Sequence, residues 1–99
     1  MAIACADELR RLIQVIDDEI AKLPPLGSGS FRTRFHEASD AAATAIAQRE
    51  GGKFLVTWDG AKLTLGGIRS SCTAGSLGVM SNWKEAAFRS IQKQMEAAS

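Results

Sequence analysis

The chain is poor in several residue types on which common structural classes depend. Its 99 residues include two cysteines, two prolines, one histidine and no tyrosine. Two cysteines are too few for the disulfide framework of a small secreted domain, so we expect reduced thiols in a cytoplasmic protein. No apolar run approaches the roughly 18–20 residues that cross a membrane, and the first residues lack a basic signal-peptide start. We therefore expect no membrane partner.

Length and composition predict one globular domain over residues 1–99. Hydrophobic residues make up 45% of the chain and charged residues 23%, which is ordinary for a folded protein. The net charge of +1 argues against strong non-specific nucleic-acid binding. Residues 1–23 carry more acidic than basic side chains, whereas residues 51–99 carry more basic ones. This dipolar distribution suits either head-to-tail contacts between copies or two solvated helix faces.

Helical periodicity predicts two helices in the first half of the chain. The first covers residues 7–23 and places these apolar side chains on one stripe: Leu9, Leu12, Ile13, Ile16, Ile20 and Leu23. Residues 24–30 form a Pro/Gly/Ser linker, since proline stops a helix. Ser30 is placed to cap a second helix over residues 31–49. Its stripe is mostly alanine: Phe31, Phe35, Ala38, Ala42, Ala45 and Ile46.

A β-hairpin is predicted after the second helix. Two short β-rich runs, residues 53–58 and 61–65, flank Asp59-Gly60, which is a strong hairpin signal. Alternation in the first run is expected to place Phe54, Val56 and Trp58 on one face. Gly66-Gly67 is expected to end the hairpin.

Residues 68–78 fit either a loop or the start of a helix. We favour a last helix that begins between Thr73 and Ser76 and ends at about Ala97. Its expected core face is Leu77, Met80, Trp83, Ala87, Ile91 and Met95. The predicted fold is α+β in the order α-α-β-β-α, with one hairpin packed on three helices in two layers. Residues 31–98 form its helix–hairpin–helix core.

No residue pattern indicates catalysis, a metal site or a cofactor. His36 lies one helical turn from Asp40, a spacing more typical of surface residues. Cys72 has no histidine near it in sequence to activate the thiol. The Gly27–Ser30 segment could cradle an anion but matches neither a P-loop nor a dinucleotide fingerprint. The consecutive acids of Asp17–Glu19 point in different directions on a helix.

Polar and aromatic residues in the second half of the chain indicate a recognition surface. Trp58 fits two interpretations, a core position or a binding position on the surface. Tryptophan is usually buried, but this one stands at the hairpin tip, and tryptophan and arginine are enriched at binding hot spots. We predict contacts with a protein partner through the following residues: Trp58, Asp59, Arg69, Ser70, Ser71, Lys84, Arg89 and Lys93.

The order of motifs between residues 38 and 94 has a counterpart in a known family. An alanine-rich helix leads into Gly51-Gly52-Lys53, a hairpin turns on Asp59-Gly60, and the serine-rich Arg69-Ser70-Ser71 precedes the last helix. This order resembles the small head-to-tail joining proteins of long-tailed phages, the W-protein type of head-completion protein. The resemblance implies a helix–hairpin–helix fold, no enzymatic activity, and a ring of copies beneath the portal. It also implies portal or tail proteins as partners, in the host cytoplasm or the virion.

Two protein-binding functions follow as hypotheses. The first is a phage or prophage structural adaptor at the head–tail junction that assembles in a ring. The second is a small inhibitor or regulator that docks on one host protein through the same hairpin. A nucleic-acid binder using Lys84, Arg89 and Lys93 ranks below both, because the net charge is near neutral. Catalysis ranks below all three.

Overall fold

The computed structural model describes residues 3–22, 31–73 and 75–98, together with their side chains except at 31–37 and 98. The elements follow in this order: α1 (Ala6–Ala21), α2 (Phe31–Arg49), β1 (Lys53–Thr57), β2 (Gly60–Leu65), β3 (Ile68–Cys72) and α3 (Ser76–Ala98). The strands form one antiparallel sheet in the order β1-β2-β3. Helices α2 and α3 pack against the sheet, and α1 packs against these two helices. The predicted α+β class is confirmed, with one strand more than the predicted hairpin.

Helix α1 forms because its apolar side chains recur at helical spacing. Its buried side chains are Leu9, Leu12, Ile13 and Ile16, and Ile20 is half-buried. Asp7 and Glu8 lie in the first turn, where carboxylates interact favourably with the helix dipole. The predicted stripe is confirmed over this range, whereas Leu23, the linker and Ser30 lie outside the described residues.

Helix α2 packs closely against its neighbours through small side chains. Ala42, Ala43, Ile46 and Ala47 are buried. The prediction that Ala45 belongs to the buried stripe is wrong, because Ala45 is exposed to solvent. Phe31 and Phe35 also belong to the predicted stripe, but their side chains are not among those that the structure describes.

One buried polar contact joins α2 to the start of α3. The hydroxyl oxygens of Ser39 and Ser76 are 2.8 Å apart, and both residues are almost fully buried. Each hydroxyl therefore has a partner, which removes much of the cost of burying it.

The β1–β2 turn consists of Trp58 and Asp59, since Thr57 pairs with Gly60. The predicted turn at Asp59-Gly60 lies one residue too late. Gly60 opens β2 with a φ of 140°, and a Cβ there would lie 2.6 Å from the carbonyl oxygen of Cys72. Glycine is therefore required at this position. The expectation that Trp58 continues the strand face is wrong, because Trp58 has already left the strand.

A second tight turn produces the third strand. Gly66 and Gly67 have φ values of 55° and 78°, and a two-residue type I′ hairpin turn needs positive φ at both positions. Leu65 therefore pairs with Ile68, and β3 continues to Cys72. The first residues of the ambiguous segment 68–78 are a strand, and α3 begins at Ser76, within the predicted window.

Helix α3 carries the centre of the core. Trp83 is fully buried, and its indole Nε1 donates to the carbonyl oxygens of Leu65 and Ile68, at 3.2 Å from each. These carbonyls flank the Gly66-Gly67 turn, so one side chain ties the helix to β2 and β3. The expected core position of Met95 is wrong, because Met95 is 56% exposed.

An arginine joins α1 to the end of α2. The guanidinium of Arg11 contacts Glu8 on its own helix and lies 2.6 Å from the carboxylate of Glu50. Hydrogen bonds from Arg11 lower the pKa of both carboxyl groups below their ordinary value of 4.5. The same bonds raise the pKa of Arg11.

Trp83→Phe should lower the free energy of unfolding by about 2–4 kcal/mol, because it removes two hydrogen bonds and buried ring volume. Urea unfolding measures this loss. The exposed Phe88→Leu is the control and should change stability by less than about 0.5 kcal/mol. A Trp83→Phe protein as stable as wild type would contradict the role of Trp83.

Stability should also depend on pH through Arg11. Because the folded-state pKa of Glu50 is lowered, its contribution is present above the ordinary value and is lost as the pH falls through the lowered one. Arg11→Gln should therefore flatten the acid side of the curve of melting temperature against pH. Arg10→Gln, which removes a pair with the highly exposed Asp7, should keep the wild-type curve. Identical curves for both variants would refute the link.

Candidate functional site

The hairpin tip presents an aromatic side chain directly to solvent. Trp58 is 99% exposed, so it lies on the surface and the general tendency of tryptophan to burial does not apply. Asp59 beside it is also exposed, and the hydroxyl of Thr57 donates to its carboxylate. This hydrogen bond, with a smaller electrostatic contribution from Lys62, lowers the pKa of Asp59. The tip therefore offers a free indole next to a carboxylate that stays ionised near neutral pH.

Strand β1 adds two exposed apolar side chains next to the tip. Leu55 is 57% exposed and Val56 is 56% exposed. They project from opposite faces of β1, which lies at the edge of the sheet. An edge strand has unpaired backbone groups, and apolar side chains on such a strand favour pairing with another chain. We refer to Leu55, Val56 and Trp58 as the apolar hairpin.

The face of the sheet away from the helices is open, and the register defines its composition. We call it the open sheet face: Lys53, Leu55, Lys62, Thr64, Arg69 and Ser71. Together with Ser70, these residues line a shallow depression of about 510 Å³. The alternate residues, including Leu63 and Leu65, are buried against the helices.

Three cations surround one residue of the central strand. Thr64 lies between Lys53 on β1 and Arg69 on β3, at strand spacings of about 4.8 Å. Lys62 is two residues earlier on the same strand, about 7 Å away along the backbone. All three cations are exposed, and none forms an ion pair with another described residue. The face itself carries no carboxylate, and the nearest acidic contribution is the electrostatic interaction of Lys62 with Asp59 at the hairpin tip.

Two of the predicted site residues make contacts within the fold. Ser70 points toward α3, and its hydroxyl donates to the carbonyl oxygen of Val79 at 2.9 Å. Alternation along β3 explains the difference, since Ser70 lies on the face opposite to Arg69 and Ser71. Lys84 is partly buried in an ion pair with Asp17 that joins α3 to α1.

The remaining predicted cations lie on another surface. Arg89 and Lys93 are exposed on α3, one turn apart on the same side of the helix. The predicted site is therefore divided: Trp58 and Asp59 form the hairpin tip, and Arg69 and Ser71 lie on the open sheet face. The basic patch of α3 is reduced to two residues.

The structure shows little that could perform chemistry. In residues 3–22, 31–73 and 75–98, no three His, Cys, Asp or Glu side chains are grouped so that they could hold a metal ion. Cys5 is exposed and Cys72 is half-buried, and no disulfide joins them. Among the consecutive acids of α1, Asp17 is paired with Lys84 and Asp18 accepts a hydrogen bond from Gln14. The side chain of His36 and the Gly27–Ser30 segment lie outside the described residues.

The described helices are all too short or too polar to cross a membrane. Comparison with protein-family models, with curated proteins and with solved structures finds no match to this chain. Any functional argument therefore rests on the residues themselves.

Sequence reasoning overlooked four residues of this surface: Lys53, Leu55, Lys62 and Thr64. Their signal was present, because they alternate with the predicted inward-facing residues of the two strands. The third strand was needed to bring Arg69 and Ser71 beside them.

The fluorescence of the two tryptophans provides a direct test of whether the hairpin tip is exposed. Trp58 is 99% exposed and Trp83 is fully buried, so acrylamide should quench one emission component efficiently and the other poorly. Trp58→Phe should remove the accessible component and shift the emission to shorter wavelength. If Trp58→Phe left the quenching unchanged, the tip would not be exposed.

Proposed function

We propose that this chain is a phage or prophage structural adaptor at the head–tail junction, acting through protein contacts and assembly of copies into a ring. The observation that carries the proposal is the apolar hairpin, Leu55, Val56 and Trp58, exposed on an edge strand. Exposed tryptophan and aliphatic side chains are costly in a protein that works alone and typical of one that binds.

The phage context comes from the resemblance over residues 38–94. Helix α2, the β1–β2 hairpin and α3 follow in the order that the resemblance implies, with β3 inserted before the last helix. In this proposal, further copies, portal proteins or tail proteins cover the hairpin. The protein would act in the host cytoplasm and enter the virion, without a catalytic residue or cofactor.

The isolation of Trp58 at the tip also suits a second function. A single protruding aromatic residue can fill a pocket on another protein, as in a small phage-type inhibitor or regulator of a host protein. Such a protein would stay monomeric or dimeric, and the same hairpin would make the contact.

Light scattering over a concentration series tests the adaptor. Wild type should form a discrete ring or a mass that grows with concentration. Trp58→Ala should weaken assembly by about 2 kcal/mol, or about thirty-fold, as expected for a hot-spot tryptophan. Its circular dichroism spectrum should be unchanged, and Phe88→Ala, an exposed aromatic residue on α3, is the matched control.

A protein that remains monomeric or dimeric at every concentration would contradict self-assembly and favour the inhibitor. Capture of one host protein, lost in Trp58→Ala and retained in Phe88→Ala, would then support the second function.

A further inference from the structure

We propose that the open sheet face binds an acidic, extended segment of a partner protein. The inference deepens the proposed function and rests on it for the partner being a protein. Lys53, Lys62 and Arg69 supply three exposed cations with no carboxylate among them. A surface with an excess of positive charge is complementary to a run of carboxylates.

Most of the described cations on the other surfaces differ in this respect. Arg10, Arg11, Lys22, Arg49 and Lys84 each form an ion pair within the fold. These pairs hold helices together or lie along one helix. Arg89 and Lys93 on α3 are also exposed and form no ion pair with another described residue, but the open sheet face groups three such cations around Thr64, although the chain as a whole is almost neutral.

The composition of the face favours an acidic peptide over nucleic acid. The three cations cluster around Thr64, whereas a nucleic-acid backbone is followed by a longer basic track with aromatic stacking. The face has no aromatic side chain. It has Leu55 and the hydroxyls of Thr64 and Ser71 instead. Successive side chains of an extended peptide point to opposite faces, so a peptide in which acidic and apolar residues alternate would direct all its carboxylates toward the cations.

Fluorescence anisotropy with a labelled synthetic peptide of alternating Glu and Leu tests the proposal. Lys53→Gln combined with Lys62→Gln should weaken binding at least about tenfold, because two of three charge contacts are lost. Arg10→Gln combined with Lys22→Gln removes the same charge from α1 and should stay within about twofold of wild type. Lys53→Arg with Lys62→Arg should keep binding, and circular dichroism checks that each variant folds.

Three results would overturn the proposal: no peptide binding to wild type at low salt, equal losses in the two Gln variants, or tighter binding of a single-stranded oligonucleotide of the same charge. None of these changes the expected assembly through Trp58. Conversely, loss of self-assembly with intact peptide binding would refute the ring and leave this surface in place.

Discussion

The contact of Trp83 with the Gly66-Gly67 turn is the interaction on which the rest of the structure depends. Its indole reaches from α3 to the carbonyl oxygens of Leu65 and Ile68. It fixes the turn that makes β3, and β3 gives β2 a neighbour on its second edge. A lone hairpin is marginally stable in water. The third strand therefore stabilises the hairpin and completes the open sheet face.

Alternation of side chains along the strands gives the sheet one face that forms the core and one face that is open to solvent. Residues such as Leu63 and Leu65 point inward and form the core with the helices. The residues between them point outward and include three exposed cations, Lys53, Lys62 and Arg69. The strand pairing fixes the positions of these cations, and the helices support the sheet from its other face. A recognition surface requires side chains held in place by rigid elements in this way. Trp58 stands at the hairpin tip, where it is almost fully exposed.

Much of the architecture could be predicted from the residues, and the misses have physical causes. Periodicity was sufficient for α1 and α2, and Ser76 begins α3 within the expected window. The sequence does not predict the third strand, because Gly66-Gly67 also fits the end of a two-stranded hairpin. In addition, only Ile68 in β3 is strongly apolar. Pairing across the sheet, which no local pattern encodes, decided the outcome. For the same reason Ser70 was assigned to the surface.

The central claim is that the hairpin and the open sheet face bind while the helices serve as scaffold. Backbone hydrogen exchange, compared between dilute and assembled protein, tests it most directly. The account predicts that assembly slows exchange along β1 and the Trp58–Asp59 turn and leaves the core amides of α3 unchanged. Slower exchange confined to the exposed faces of α1 and α3, with β1 unaffected, would contradict it.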